Sequence, residues 1–171
     1  AGEARNFGMD GLPEHDERYD RADEFLDCVH ALWESWEPDA MEMDMATGRF
    51  ADPGKVRKID FEGKWYRCQG PLNVIPSPQR KPYLFQAGSS DRGLRFAASH
   101  AECVFASGAG VEQMRNLEDR LKSHMEDNGR DPNTAKILWG AQPLVAASES
   151  EAREKFQAIR ARIPLEAKLS L

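Results

Sequence analysis

The stretch KPYLFQAGSSDRGLRFAASHAECVF, Lys81 to Phe105, decides how this chain folds. Residues 82–86 are apolar or strand-tolerant. Ala87-Gly88-Ser89-Ser90 is a small-residue turn, and Leu94, Phe96, Ala97, Ala98 and Ala101 then recur at helical spacing. The pattern predicts a strand over 83–86, a helix over 91–100 and a second strand over 102–106. Downstream the alternation continues with a helix over 111–128, the turn Asn128-Gly129-Arg130-Asp131-Pro132 and a strand over 136–145. A helix follows over 150–163, with Ser148 or Ser150 as N-cap and Glu149, Glu151 and Glu154 in or near its first turn. This alternation implies βα units around a parallel sheet, and leaves open a doubly wound sheet or part of a barrel.

Upstream, residues 1–16 read as loop, broken by Gly2, Gly8, Gly11 and Pro13. From Asp16 the stripe Ala22, Phe25, Leu26, Val29, Leu32, Trp33 and Trp36 predicts a helix with one buried face. Asp16 and Glu17 suit its positive end, and Pro38 is expected to stop it. Trp33 and Trp36 are read as core or subunit packing. Residues 37–80 form an excursion: a turn at Asp52-Pro53-Gly54, a hairpin pairing 57–60 with 64–68 around Glu62-Gly63, and Pro-rich loops at 70–73 and 76–79. Asp39, Glu42 and Asp44 beside Met41, Met43 and Met45 make an acidic, Met-rich tract, read as a mobile loop or a substrate lid.

Composition narrows the class. The 171 residues carry a net charge of -6, with 40% hydrophobic and 30% charged, which fits one domain with a sizeable core. The acidic balance and dispersed basic residues argue against a nucleic-acid partner. No apolar run approaches the ~20 residues that span a bilayer, and no signal-peptide pattern stands at the start. A start without Met is that of a piece of something longer. Cys28, Cys68 and Cys103 show no CxxC spacing, so neither a zinc site nor a disulfide framework is expected, and a reducing cytoplasm is the expected location. Cys103 is read as a small buried hydrophobe. His15, among acids, is read as a solvated turn residue. His30, His100 and His124 have no partners at ligand spacing, so no metal is expected.

The turn at 87–90 carries the chemistry. A turn leading from the C-terminal end of a parallel strand into a helix presents free backbone N–H groups and the positive end of a helix dipole. Gly88 would let the backbone approach a ligand, Ser89 and Ser90 can donate to phosphate oxygens, and Gly93 keeps the surface thin. The plain alternative is that one serine is only an N-cap. Neither GxGxxG nor GxxxxGK[ST] is present, so this is not a standard dinucleotide or P-loop site.

Several blocks stand in order along the chain: ARNFG (4–8), ERYDRADEFLDCVHALWESWE (17–37), GRFADPGKV (48–56), GPLNVIPSPQRKPYLFQAGSS (70–90) and AASHAECVF (97–105), then EAREKF and IPLEAKLSL. The set resembles the flavin-dependent monooxygenases of the nitrilotriacetate monooxygenase component A group. Long-chain alkane and dibenzothiophene sulfone monooxygenases belong with them, within the bacterial-luciferase-like superfamily. The resemblance implies an α/β fold, a partial (β/α)8 TIM barrel of middle-to-late βα units with an inserted excursion at about 37–80, residues 1–171 forming one partial barrel domain. It implies a two-component FMN-dependent monooxygenase. Reduced FMN would come from a separate NAD(P)H:flavin reductase, O2 would be activated as a flavin hydroperoxide, and a small organic compound would be oxidised.

By the same resemblance, Ser89 and Ser90 match positions that hold the FMN phosphate. Tyr19 matches a tyrosine reaching that phosphate, and Arg18 an active-site arginine beside it. A complete barrel takes roughly 250 residues, so the chain is expected to be an incomplete portion that does not turn over alone. Alternatives are a deazaflavin-dependent oxidoreductase of the same superfamily and a non-catalytic product of a truncated or split gene. An unrelated sugar-phosphate barrel would share the phosphate logic but not the other blocks. Apolar surface uncovered by a partial barrel predicts a homo-oligomer.

Overall fold

A short helix, α1 (Gly2–Arg5), stands where loop was expected, and the long α2 (His15–Trp33) follows. The computed structural model describes residues 2–108 and 110–164. Asp16 and Glu17 occupy the first turn of α2, as their charge favours. The helix ends at Trp33, short of Pro38, because the next residues find other partners. The Ser35 hydroxyl donates back to the Leu32 carbonyl at 2.6 Å, and Trp36 leaves the helix to bridge Val56. Trp36 is therefore not on the helical stripe; its indole N–H donates to the Leu72 carbonyl at 2.8 Å. Nor is the stripe fully buried. Cys28 is the buried residue of α2, while Phe25 stays 48% exposed.

The excursion folds onto α2 as two small hairpins. The Met-rich tract is strand β1 (Met41–Asp44), paired antiparallel with β2 (Arg49–Ala51). Asp44 caps its turn, accepting from Ala46 N at 2.8 Å and Thr47 Oγ1 at 2.6 Å. The Asp52-Pro53-Gly54 turn is a short 3-10 segment, Pro53–Lys55, capped by Asp52. The second hairpin forms, but displaced: β3 (Phe61–Glu62) lies beyond the expected 57–60 and takes Glu62 from the expected turn, and it pairs with β4 (Arg67–Cys68), the end of the expected 64–68, across a turn at 63–66. The Glu24 carboxylate of α2 explains the shift. It accepts from the backbone N–H of Lys64, Trp65 and Tyr66 at 2.9, 2.8 and 2.7 Å, taking those residues out of any ladder.

The expected βα alternation follows. Strand β5 (Phe85–Ala87) leads into α3 (Asp91–His100), then β6 (Cys103–Ala106), α4 (Val111–Asp127) and β7 (Lys136–Trp139). The three strands form a parallel sheet in the order β5-β6-β7, with Phe85 opposite Cys103 and Phe105 opposite Leu138. Side chains alternate across it. Val104, Ala106, Ile137 and Trp139 face α3 and α4 and meet Leu94, Leu121 and Met125 in the core. The other face stays open, with Phe85, Phe105 and Leu138 exposed by 65%, 53% and 48%. Cys103 is buried, as expected.

The chain divides into two units, Ala1–Trp139 and Gly140–Leu171. β7 stops at Trp139 rather than continuing to residue 145: Gly140 weakens a strand, and Pro143 has no N–H to give a ladder. In the second unit, α5 (Glu149–Arg162) begins at Ser148, whose hydroxyl accepts from Glu151 N at 3.2 Å. Of the IPLEAKLSL block, residues 165–171 lie outside the described residues.

Candidate functional site at the C-terminal end of the parallel sheet

Ser90 is the N-cap of α3, its hydroxyl oxygen accepting from Gly93 N at 3.1 Å. The capping role and a ligand role are compatible, since the hydroxyl hydrogen remains free to donate. Ser89 and Ser90 diverge. Ser90 lines a cleft of about 540 Å³ together with His15, Asp16, Asp91, Arg92 and Arg95. Ser89 lines a neighbouring cleft of about 590 Å³ with Ser107, Asn116 and Arg120. The two serines thus sit on opposite sides of one turn.

Tyr19, one turn into α2, reaches this turn with its hydroxyl. Gln86 Nε2 donates to it at 3.4 Å. A Cβ on Gly88 would stand 3.1 Å from that oxygen, and one on Gly93 would stand 2.7 Å from it and 2.9 Å from Ser90 Oγ. The contacts at Gly93 are shorter than real Cβ atoms make and the one at Gly88 is tighter than most, so the two glycines help α2, β5 and α3 meet around one hydroxyl. Tyr19, Gly88 and Ser90, expected to act together, are indeed brought together. Gln86 Oε1 is buried beside them without a hydrogen-bond partner among the described residues. Free donors at a helix N-terminus fit an anionic group, and the orphaned Gln86 acceptor fits a hydroxyl beside it, as the phosphate and the polyol chain of FMN would supply.

Charged groups clamp the helices that build the cleft. Arg92 binds Asp20 at 2.8 Å and also Asp23, and its guanidinium lies 5.5 Å over the Tyr19 ring. Burial works against its charge, but the two carboxylates outweigh this and hold its pKa above the ordinary value. His100 reaches Asp23 at 2.7 Å, so α2 and α3 are tied at both ends of α3. Asp91 is held in its charged form mainly by Arg95 at 2.8 Å, with Arg120 and His124 adding to the effect against a smaller burial penalty.

Arg18 is exposed and has no side-chain partner among the described residues, so the structure does not join it to the Tyr19–Ser90 group. His15 is solvent-exposed as expected, its side chain at 47%, but it stands in a helix and not in a turn. It is the first residue of α2, it faces Ser90, and its ring lies 5.1 Å from that of Tyr19. The i, i+4 spacing of His15 and Tyr19 was the available signal, hidden by the unread start of the helix. Arg92 and Gln86 had no signal in one sequence, because their partners are 69 and 67 residues away. No helix among the described residues is long and apolar enough to cross a membrane.

The chain is similar to known proteins over nearly its whole length. A family model described as luciferase-like monooxygenase matches residues 1–170. The dibenzothiophene-sulfone monooxygenase of Rhodococcus erythropolis is 44% identical over 168 residues, covering 98% of this chain and 37% of that protein. The crystal structure of a long-chain alkane monooxygenase superposes with a TM-score of 0.83 at 42% identity, over 96% of this chain and 38% of the other. A riboflavin lyase solved with modified FMN and riboflavin gives a TM-score of 0.82 at 40% identity, over 91% and 35%. The chain therefore spans a little over a third of the length of the proteins it matches. The three-stranded sheet with its helices is the corresponding part of a luciferase-like α/β barrel.

Proposed function

The chain belongs to the luciferase-like monooxygenase family, and from that premise we propose that this protein is a two-component, FMN-dependent monooxygenase acting on a small organic compound. The observation that carries the reading is the convergence of the Tyr19 hydroxyl, Gly88, Gly93 and the Ser90 N-cap at the C-terminal end of β5. In a βα barrel that end is where ligands are held. Reduced FMN, received from a separate NAD(P)H:flavin reductase, would supply the O2-activating chemistry.

The chain's own residues have a narrower task. Tyr19 and Ser90 donate to the phosphate, Gly88 and Gly93 admit the Tyr19 hydroxyl to the turn, and the N-terminus of α3 offsets the negative charge. Ser89 is proposed to serve the phosphate through the turn it shares with Ser90, its side chain lining the neighbouring cleft with Ser107, Asn116 and Arg120. Arg18 is proposed to act next to the reacting atoms, with its free guanidinium available to an anionic substrate group or to the flavin. The exposed sheet face of Phe85, Phe105 and Leu138 is where the rest of a barrel interior would pack. We further propose a cytoplasmic homo-oligomer, tested by size-exclusion chromatography with light scattering; a monodisperse monomer would count against it.

The test of the flavin site is a pair of titrations, FMN and riboflavin, on the protein and its Ser89→Ala/Ser90→Ala variant. Tighter binding of FMN, with the gap erased in the variant, supports the reading. Equal binding of the two flavins by the unaltered protein sinks the phosphate role of the turn.

A further inference from the structure

We propose that His15 is a third donor to the cofactor phosphate and sets the preference for FMN over riboflavin; the inference rests on the flavin reading above. His15 opens α2, and Ser90 caps α3, so the cleft between them is met by the N-termini of two helices, 19 and 10 residues long. Their dipoles point the same sign of charge at one volume. The two side chains touch: His15 Nε2 stands 3.4 Å from Ser90 Oγ.

The ring is oriented from two sides. Nδ1 lies 2.6 Å from Asp16 Oδ1, which makes Nδ1 the protonated nitrogen, and the ring edge packs against Tyr19 at 5.1 Å. That leaves Nε2 turned toward the cleft. The other cationic groups there are already committed, Arg92 to Asp20 and Asp23 and Arg95 to Asp91. Among the described residues, His15 Nε2 and the Ser90 hydroxyl have no carboxylate partner. With a proton on both nitrogens, the ring donates from Nε2 to a phosphate oxygen while Asp16 shares the Nδ1 proton.

Riboflavin has no phosphate, so the grip is felt by FMN alone. The experiment measures dissociation constants for both flavins, by quenching of flavin fluorescence, in the protein at the full length its gene encodes. His15→Phe keeps a ring against Tyr19 and removes the donor. It is expected to weaken FMN about tenfold and to leave riboflavin unchanged. His15→Gln, which keeps an N–H donor, is expected to recover part of that loss. If His15→Phe leaves the FMN-to-riboflavin ratio intact while Ser90→Ala narrows it, the role of His15 is overturned and the flavin site stands. Equal weakening of both flavins by His15→Phe also overturns it, since His15 is then only a packing residue. If the unaltered protein does not discriminate between the flavins, the flavin-phosphate reading itself fails. Should His15→Phe not fold, His15→Ala reads the same ratio.

Discussion

At Gly93 one hydrogen atom decides whether the turn can close. An alanine methyl there would sit 2.7 Å from the Tyr19 oxygen and 2.9 Å from Ser90 Oγ, in a buried position where little can yield. Gly93→Ala is expected to cost about 1–3 kcal/mol in urea unfolding and to weaken FMN while displacing Tyr19. Ser90→Ala should cost about 1 kcal/mol through the lost cap. Cys28 offers a check of the same kind away from the site. Its burial, with the neighbouring Cys68 thiol, pushes its pKa up, whereas Cys68 is partly exposed. Iodoacetamide at neutral pH is expected to label Cys68 before Cys28, read by peptide mass spectrometry, because the thiolate is the reactive form. At this scale Gly88 and Ser90 stood out by residue type and position in a turn, whereas Tyr19, inside α2, was singled out only by the family resemblance. His15 was not legible, since its role depends on which residue begins α2.

Among the elements, the β3–β4 hairpin shows how one carboxylate sets a register. Burial acts to raise the pKa of Glu24, but hydrogen bonds from Tyr66, Trp65 and Lys64 outweigh it and hold the carboxyl below the ordinary glutamate value. A pKa lower when folded means that Glu24 stabilises the hairpin at neutral pH. That contribution is lost as the pH falls through the folded value. On acid titration the amide signals of residues 64–66 are expected to shift together, with a midpoint below the usual glutamate range. In Glu24→Gln that common transition disappears. No local pattern showed this, because Glu24 is 40 residues from its first partner. α3 and α4 were readable within a residue, since their boundaries follow from local signals, Ser90 as a cap and the Gly129 stop.

Over the whole molecule, the core between α3, α4 and one sheet face carries the stability of the first unit. Leu121 is 2% exposed and belongs to that cluster, so Leu121→Ala is expected to cost about 2–5 kcal/mol in denaturant unfolding. The opposite sheet face adds little burial of its own, with Phe85, Phe105 and Leu138 exposed. By itself the sequence determined the βα alternation, the parallel sheet, the family and the turn that holds the candidate phosphate site. The family rests on a resemblance carried by ordered blocks along the chain; the others follow from periodicity, caps and glycines, which act over a few residues. Only the tertiary structure decided where α2 stops, how the excursion docks through Glu24 and Trp36, that Ser89 and Ser90 face different clefts, and that His15 meets Ser90. These depend on contacts between residues tens of positions apart. Such contacts form only when packing brings distant segments together, and no local pattern encodes which pairs will meet.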